Sequence, residues 1–489
     1  MKDMKSYYLQ KAYENLPKLH KTVITPSVCE NLLNNGDCLV IDLGNHYVGY
    51  FSFKMWFADT YIDAPVRMSV RFCETERELE DDFTDYHGTL CESWLQEEII
   101  NVDFPGEYKM PRRYAARYVR IHILHTPKKL SLSDFRFEAV TSADMATLKP
   151  YEALDDELCR IDRIAIHTLK NCMQRIFEDG PKRDRRLWIG DLRLEALANY
   201  YTFENIALVK RCLYLFAAAE RNEYGILPGF IYENPVFYSG NWFLIDYSLM
   251  FVCTLCDLYS HTEDEKIFYD LYPIAKSVLD VLDETKDDTG LVTTVSGSAF
   301  VDWCEGLKKN TALEGIYLYT LDRWCKALES IGMEEDAVLY RTRLEQGTAA
   351  SRKHLYDENE STFINKCDKY QNSVHSAVWM TLGGVTQGDE AKQILKKVIF
   401  SPDSVKPFTP YMHHYTIEAL IKAGLIAEAE NYIRNIWGGM VKMGADTFFE
   451  VYAPSDPDFS PYNDRKVNSM CHAWSCTPTY FIRKYGLGK

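Results

Sequence analysis

Two different rhythms of apolar and polar residues divide the chain. In roughly the first 140 residues, segments such as YFSFKMWF, RMSVRFCE and RYVRIHIL alternate side-chain type with period two. Tyr118, Arg120 and His122 stand against Val119, Ile121 and Ile123, as expected of strands that show one face to a core. The stretches between them, including RELEDDFTDYHG and VDFPGEYKMPRRY, are acidic or turn-rich and contain no convincing amphipathic helix. An antiparallel β-sandwich or jelly roll is the economical fold for this part. The small and polar residues of TSADMATLKPYEALDD then mark a junction.

From about Asp155 the spacing becomes helical. Leu208, Cys212, Leu215 and Ala219 fall on one face of ENIALVKRCLYLFAAAERN. In TIEALIKAGLIAEAENYIRNIW, Ile417, Leu420 and Ile421 lead to Gly424, a natural helix stop, before Ala429, Ile433 and Ile436 resume the apolar face. Such segments number roughly twelve. Six hairpins closed in a ring would make an (α/α)6 toroid, with an open helical solenoid as the alternative. The expected organisation is therefore multidomain and mainly α: a β-sandwich over residues 1–145, then an (α/α)6 unit over residues 146–489. Long aromatic loops join the helices, including GILPGFIYENPVFYSGNW, FSPDSVKPFTPYMHH and VYAPSDPDFSPYND. Loops of that length and composition suggest a functional cleft.

Composition narrows the partners. With 46% hydrophobic and 26% charged residues, the 489-residue chain has ample apolar surface for a folded core. A net charge of −16 repels a phosphate backbone, so nucleic acid is not expected as a partner. No run of about 18 apolar residues suits a membrane span, and MKDMKSYYLQKAYENL lacks the apolar core of a secretory signal. A cytoplasmic location is the expectation. The fourteen cysteines are then expected as reduced thiols, many of them in apolar stretches, as at Cys212, Cys253, Cys325 and Cys471. Cys253 and Cys256 form a CxxC inside a helical run with no second pair, and His413 and His414 are adjacent, so no metal site is expected. Aromatics reach 13%, which suits core packing and also stacking on sugar rings.

Three constellations carry candidate chemistry. In the first, from Glu178 to Asp191, acids alternate with Lys182, Arg183, Arg185 and Arg186 beside Trp188. It reads either as a solvated salt-bridge loop capping a helix through Asp191, or as a site that grips hydroxyls by charge-assisted hydrogen bonds while an indole stacks on the ring. The second is Glu450, an acid following Phe448 and Phe449 at a loop edge, which is either a surface group or a general base. The third comprises Asn468, Ser469, His472 and Trp474, a polar handle beside a sugar platform or a core histidine with its neighbours.

DGPKRDRRLWIGD, FVDW at Phe300 to Trp303, WGGMVKMGADTFFE and NSMCHAWS together resemble the motifs of the family 78 glycoside hydrolases, the α-L-rhamnosidases, in the family's order. The β-rich front, with DYHGTLCESWLQEE and PRRYAARYVRIHI, is similar to the sandwich preceding the toroid in that family. The resemblance implies an inverting, exo-acting hydrolase of terminal α-L-rhamnose on small glycosides or oligosaccharides, without cofactor or metal, and allows a homodimer. It implies Asp184 as general acid, at a position where the family commonly has a glutamate, and Glu450 as general base. Asp179 and Asp191 would bind sugar hydroxyls, with Arg183, Trp188, Asp302 and His472 also at the sugar. Trp242, Trp303 and Trp474 are available as an apolar wall for the C6 methyl of a 6-deoxy sugar. The alternatives are a hydrolase of another deoxy or uronic sugar on the same toroid, and a carbohydrate-binding protein without activity.

Overall fold

The computed structural model describes residues 2–28, 32–58, 64–103, 105–152, 155–233, 236–365 and 371–489. Phe104, Ala153, Leu154, Asn234 and Pro235, which belong to turn and junction stretches named above, lie outside the described residues.

The chain opens with a helix that the alternation pattern misses, α1 (Lys2–Glu14). It is polar along most of its length, and its buried residues Tyr8 and Ala12 stand one turn apart. They join the core of the helical unit, and Tyr7 donates to Asp270 at 3.0 Å. The strands follow as β1 (His20–Ile24), β2 (Leu32–Leu33), β3 (Cys38–Phe57), β4 (Val66–Cys73), β5 (Glu97–Val102), β6 (Gly106–Lys109), β7 (Tyr114–His125) and β8 (Leu130–Thr141). They form one antiparallel network in the order β1-β8-β3-β7-β4-β5, with β2 on β8 and β6 on β3.

The 20-residue β3 organises this network. Its first half pairs with β7, and its second half pairs with β8 on one side and β6 on the other. The alternation is as expected: Phe51, Phe53 and Met55 are buried between exposed Tyr50 and Trp56. They meet Val70, Phe72, Val119, Ile121 and Phe137 in one apolar core. Between Asp42 and Tyr47 the pairing slips, and the irregularity aims His46 out of the sheet. The His46 ring is fully buried, 3.0 Å from a Glu74 carboxylate oxygen, and its backbone oxygen lies 2.7 Å from the His167 ring in the helical unit.

Among the described residues twelve α-helices follow: α2 (Asp156–Cys172), α3 (Ile189–Tyr200), α4 (Ile206–Ala217), α5 (Ile245–Thr262), α6 (Glu265–Glu284), α7 (Asn310–Ile331), α8 (Glu334–Leu355), α9 (Val374–Leu382), α10 (Gly388–Phe400), α11 (Pro410–Lys422), α12 (Ile426–Lys442) and α13 (Pro478–Tyr485). Helices α3, α5, α7, α9 and α11 pack successively as an inner ring, and the even-numbered helices lie outside them. The last helix, α13, meets both α2 and α3, and α12 meets α2, so the ring closes and the solenoid alternative fails. Burial follows position: every residue of α3 and α9 is buried, whereas α8 and α10 bury one stripe. One boundary differs from the periodicity: α4 ends before Ala219. α2 stops at Cys172, where Met173 and Phe177 pair across a turn. Gly424, at φ +75, follows α11 as expected. No described helix is long and apolar enough to cross a membrane.

Candidate active site

A cavity opens at the N-terminal ends of the inner helices. Asp191 lies in the first turn of α3, Leu244 and Tyr247 at the start of α5, and Phe300 and Trp303 in the loop before α7. Asp179, Arg183, Asp184 and Trp188 enter from the loop before α3, and Glu450, Tyr462, His472 and Trp474 from the long connection between α12 and α13. Trp242 stands at its edge. A larger, open depression lies at the opposite end of the ring. Its charged side chains are paired locally, as in Arg352–Glu390 and Lys326–Asp322.

The charged loop is not solvated. Glu178, Asp179, Lys182 and Arg183 are each no more than 6% exposed. The loop is a tight reversal in which the Asp179 N–H donates to the Arg186 carbonyl and the Arg186 N–H to an Asp179 carboxylate oxygen, each at 3.0 Å. Gly180 is required at the turn, since a Cβ there would lie 2.3 Å from the Arg183 carbonyl oxygen. Each cation holds the loop or the site. Lys182 donates to Glu78 of the β unit at 2.8 Å and to the Asn468 carbonyl at 3.1 Å. Arg183 donates through Nε to the Val467 carbonyl at 2.9 Å, and Arg185 to the Arg113 carbonyl at 2.7 Å.

Arg183 joins the two candidate carboxylates. Its Nη2 donates to both Glu450 oxygens at 2.7 and 2.6 Å, and its Nη1 lies 3.4 Å from Asp184. Because both contact one guanidinium, the two carboxyl groups stand no more than about 8 Å apart. Glu450 also accepts from the Tyr462 hydroxyl at 2.7 Å and the Ser469 N–H at 3.0 Å. Burial pushes its carboxyl upward, but Arg183, His472 and these donors outweigh burial and hold it below the ordinary carboxylate range. The Trp474 indole N–H donates to the Glu450 carbonyl at 2.9 Å, and the Ala473 N–H to the Asp179 carbonyl at 2.7 Å, so the two loops fix each other.

On the opposite wall, burial favours the neutral form of the acids. Burial drives the Asp179 carboxyl well above its usual value, with Asp184 and Asp191 adding to the effect. Burial does the same to Asp191, reinforced by Glu450 and Asp184, and to Glu195 one turn deeper on α3. The Asp191 Oδ1 is buried without a hydrogen bond, 3.7 Å from the His472 Nδ1, and has an acceptor to offer; no side chain caps α3. Burial lowers the His472 imidazole to about 4, which leaves it neutral beside Glu450 at 3.8 Å. Aromatic faces complete the enclosure. Trp303 meets Trp474 edge-on at 5.1 Å and Tyr462 at 5.7 Å, and Phe300 stacks on Trp474 at 6.2 Å.

Ten of the eleven expected site residues therefore line one cavity, and Asp302 does not. Its carboxylate accepts from the Phe408 N–H and from the N–H and hydroxyl of Thr409, and pairs with His375 at 2.7 Å. With these partners Asp302 pins the loop of Phe300 and Trp303 to the start of α11. Leu244, Tyr247, Phe300 and Tyr462 line the cavity without having been singled out. The aromatic loops around Phe300 and Tyr462 were the available signal. The two adjacent histidines diverge: His413 bonds Tyr432 at 2.9 Å, while His414 packs against Phe481. Among the described residues no cluster suits a metal ion, and Cys253 and Cys256 are buried free thiols.

Comparison with known proteins agrees with this architecture. A family model described as the bacterial alpha-L-rhamnosidase 6 hairpin glycosidase domain matches residues 151–485, and one for the glycosyl hydrolase family 78 alpha-rhamnosidase N-terminal domain matches residues 10–142. Among solved structures, a rhamnosidase from Klebsiella oxytoca with rhamnose bound is 37% identical with a TM-score of 0.94, over 99% of each chain. The family 78 rhamnosidase of Bacillus sp. GL1, 24% identical with a TM-score of 0.79, shares the fold over 96% of this chain and 48% of its own. The search of curated proteins returned no match. With both units matched in order and the carboxylate pocket at the mouth of the helical ring, the chain belongs to the bacterial α-L-rhamnosidases of glycoside hydrolase family 78.

Proposed function

We propose that the protein removes terminal α-L-rhamnose from small glycosides or oligosaccharides by single displacement with inversion. The observation that carries this reading is the Asp184–Arg183–Glu450 arrangement, in which one guanidinium contacts an acid on each side of the cavity. Glu450, held ionised, acts as general base on a water. Asp184 is the partner acid, for two reasons. It is more exposed to the cavity than Glu450, and its arginine contacts, to Arg183 and Arg186, are long at 3.4 Å, which leaves its oxygens available to a leaving group. Burial and their acidic neighbours favour the neutral form of Asp179 and Asp191 beside it. The separation allowed by Arg183 accommodates the roughly 6.5–9.5 Å that an inverting pair needs for its water.

Substrate size and type follow from the walls. Aromatic and polar side chains crowd the cavity from several sides, which suits one terminal sugar ring and hence exo action. Leu244, Phe300, Trp303 and Trp474 offer apolar surface for a C6 methyl, while Asp179, Asp191 and His472 offer polar groups to ring hydroxyls. A uronic acid fits less well, because Arg183, the cation lining the cavity, is already committed to Glu450. The rhamnose bound in the Klebsiella oxytoca rhamnosidase agrees with this choice.

The test is turnover of aryl and alkyl α-L-rhamnosides by the wild type, Asp184→Asn and Glu450→Gln. Glu450→Gln is expected to lose about 10²–10⁴-fold on both substrates, and Asp184→Asn to lose most on the alkyl glycoside, whose leaving group needs the proton. Full activity of Asp184→Asn on the alkyl substrate would remove it as the acid.

A further inference from the structure

The slip in β3 between Asp42 and Tyr47 turns His46 out of its sheet and into the joint between the two units. Helix α2 holds its backbone there: the His46 carbonyl accepts from the Asn171 amide at 3.2 Å and lies 2.7 Å from the His167 ring. The Asn171 amide nitrogen also lies 3.0 Å from the His46 Nδ1. The ring is thereby aimed, and its Nε2 meets a Glu74 carboxylate oxygen at 3.0 Å. Both side chains are fully buried.

Glu74 is the point at which separate segments meet. Its Oε2 accepts from the Met470 N–H at 2.6 Å and stands 3.8 Å from the Lys182 Nζ. Its own N–H donates to Glu78 at 2.6 Å, and Glu78 accepts from Lys182 at 2.8 Å. Met470 follows Ser469, which is tied to Glu450 in both directions: the Ser469 N–H donates to the carboxylate at 3.0 Å, and the Ser469 carbonyl accepts from the Glu450 N–H at 2.9 Å. Lys182 lies in the same tight loop as Asp184. One buried carboxylate therefore touches the segment of the proposed base and that of the proposed acid.

A buried carboxylate deprived of a partner is costly, and the nearest donor is drawn to it. Without the His46 N–H that donor is Lys182, which would leave Glu78 and the Asn468 carbonyl and take its loop along. Resting on the reading above, in which Asp184 and Glu450 are acid and base, we propose that His46 is a positioning residue for the hydrolysis. Its hydrogen bond to Glu74 fixes Met470 and, through Ser469, the Glu450 carboxylate, while it leaves Lys182 to hold the Asp184 loop. The β unit thus acts on the reaction from behind the sugar cavity.

The test compares wild type with His46→Asn and His46→Gln on 4-methylumbelliferyl α-L-rhamnoside, across pH and below the unfolding transition of each protein. Asparagine keeps a polar group beside Asn171 but is too short to reach Glu74, whereas glutamine carries an N–H to the neighbourhood of the ring Nε2. His46→Asn is expected to lose about ten- to a hundredfold in kcat, the cost of a small misplacement of reacting groups. The acidic limb of its kcat/KM profile moves to higher pH, because a loosened Ser469 N–H lets the Glu450 carboxyl rise. His46→Gln should stay within about fivefold of the wild-type kcat and keep the wild-type limb. Glu74→Gln should share the loss, and adding His46→Asn to it should cost less than about twofold more. Wild-type kcat in His46→Asn, an equal loss in His46→Gln, a loss uniform across pH, or full additivity with Glu74→Gln would overturn the proposal. Should His46→Asn not fold, Glu74→Gln carries the test: the same loss and limb shift support it, and wild-type values refute it. A wild type inactive on every α-L-rhamnoside would contradict the functional reading instead. The link would then be judged by hydrogen exchange of the 468–474 segment: faster exchange in His46→Asn than in His46→Gln supports it, and equal exchange refutes it.

Discussion

Glu450 illustrates how neighbours decide what a buried carboxylate does. Burial alone would neutralise it, yet Arg183, the Tyr462 hydroxyl and the Ser469 N–H keep it ionised and ready to accept a proton. Because its pKa lies below the ordinary range, the proposed base stays ionised until the pH falls beneath that range. In Tyr462→Phe one donor is lost, the carboxyl rises, and the acidic limb of the kcat/KM profile moves to higher pH by up to about one unit, with little change at neutral pH. A uniform loss at every pH would instead mean that Tyr462 only shapes the pocket. Asp184 and Glu450 were legible because each stands in a motif whose order along the chain resembles the family's. Tyr462 was not, since it sits in a turn-rich stretch placed by contacts from a distant segment, with Thr89 N–H donating to its carbonyl at 2.8 Å.

At the scale of elements, inner helices present their first turns to the cavity and loops carry most of the polar groups. The loop before α7 shows how such a loop is held. Asp246 in α5 accepts from the Phe300 and Val301 N–H groups, and Asp302 ties the same loop to His375 in α9 and Thr409 before α11. Asp302→Asn is therefore expected to lower stability by about 1.5–3 kcal/mol, the worth of a hydrogen bond to a charged group, read as a drop in Tm, while inhibition by L-rhamnose stays within a few-fold. A large loss of rhamnose binding without loss of stability would restore Asp302 to the sugar. In sequence, Asp302 and Asp191 are both acids beside a tryptophan-containing motif, and only the folded ring separates a pin from a lining group. The change of period near Asp155 made the two units readable. Helix α1 was not readable, because it buries only the short stripe of Tyr8 and Ala12 and owes its place to packing on α4.

In the whole molecule, the β unit is part of the construction of the active site. Its segment around residues 74–91 grips both loops that carry the proposed catalytic carboxylates: Glu78 holds Lys182, Glu74 accepts from the Met470 N–H at 2.6 Å, Asp81 pairs with Arg465, and the His87 N–H donates to Asp464 at 3.0 Å. Arg113 adds a two-pronged pair with Glu178. Removing one partner of a buried pair costs about 3–5 kcal/mol, so Glu78→Ala should lower the unfolding transition and kcat together, whereas an unchanged kcat would show that the grip is irrelevant to catalysis. The acidic stretch of these residues read as a loop between strands, and its role emerges only once the two units are docked. The account as a whole is tested most directly by following, with NMR, the first sugar released from an aryl α-L-rhamnoside before mutarotation sets in. Water delivered by Glu450 opposite Asp184 predicts β-L-rhamnose as the initial product, and initial appearance of the α anomer would contradict it.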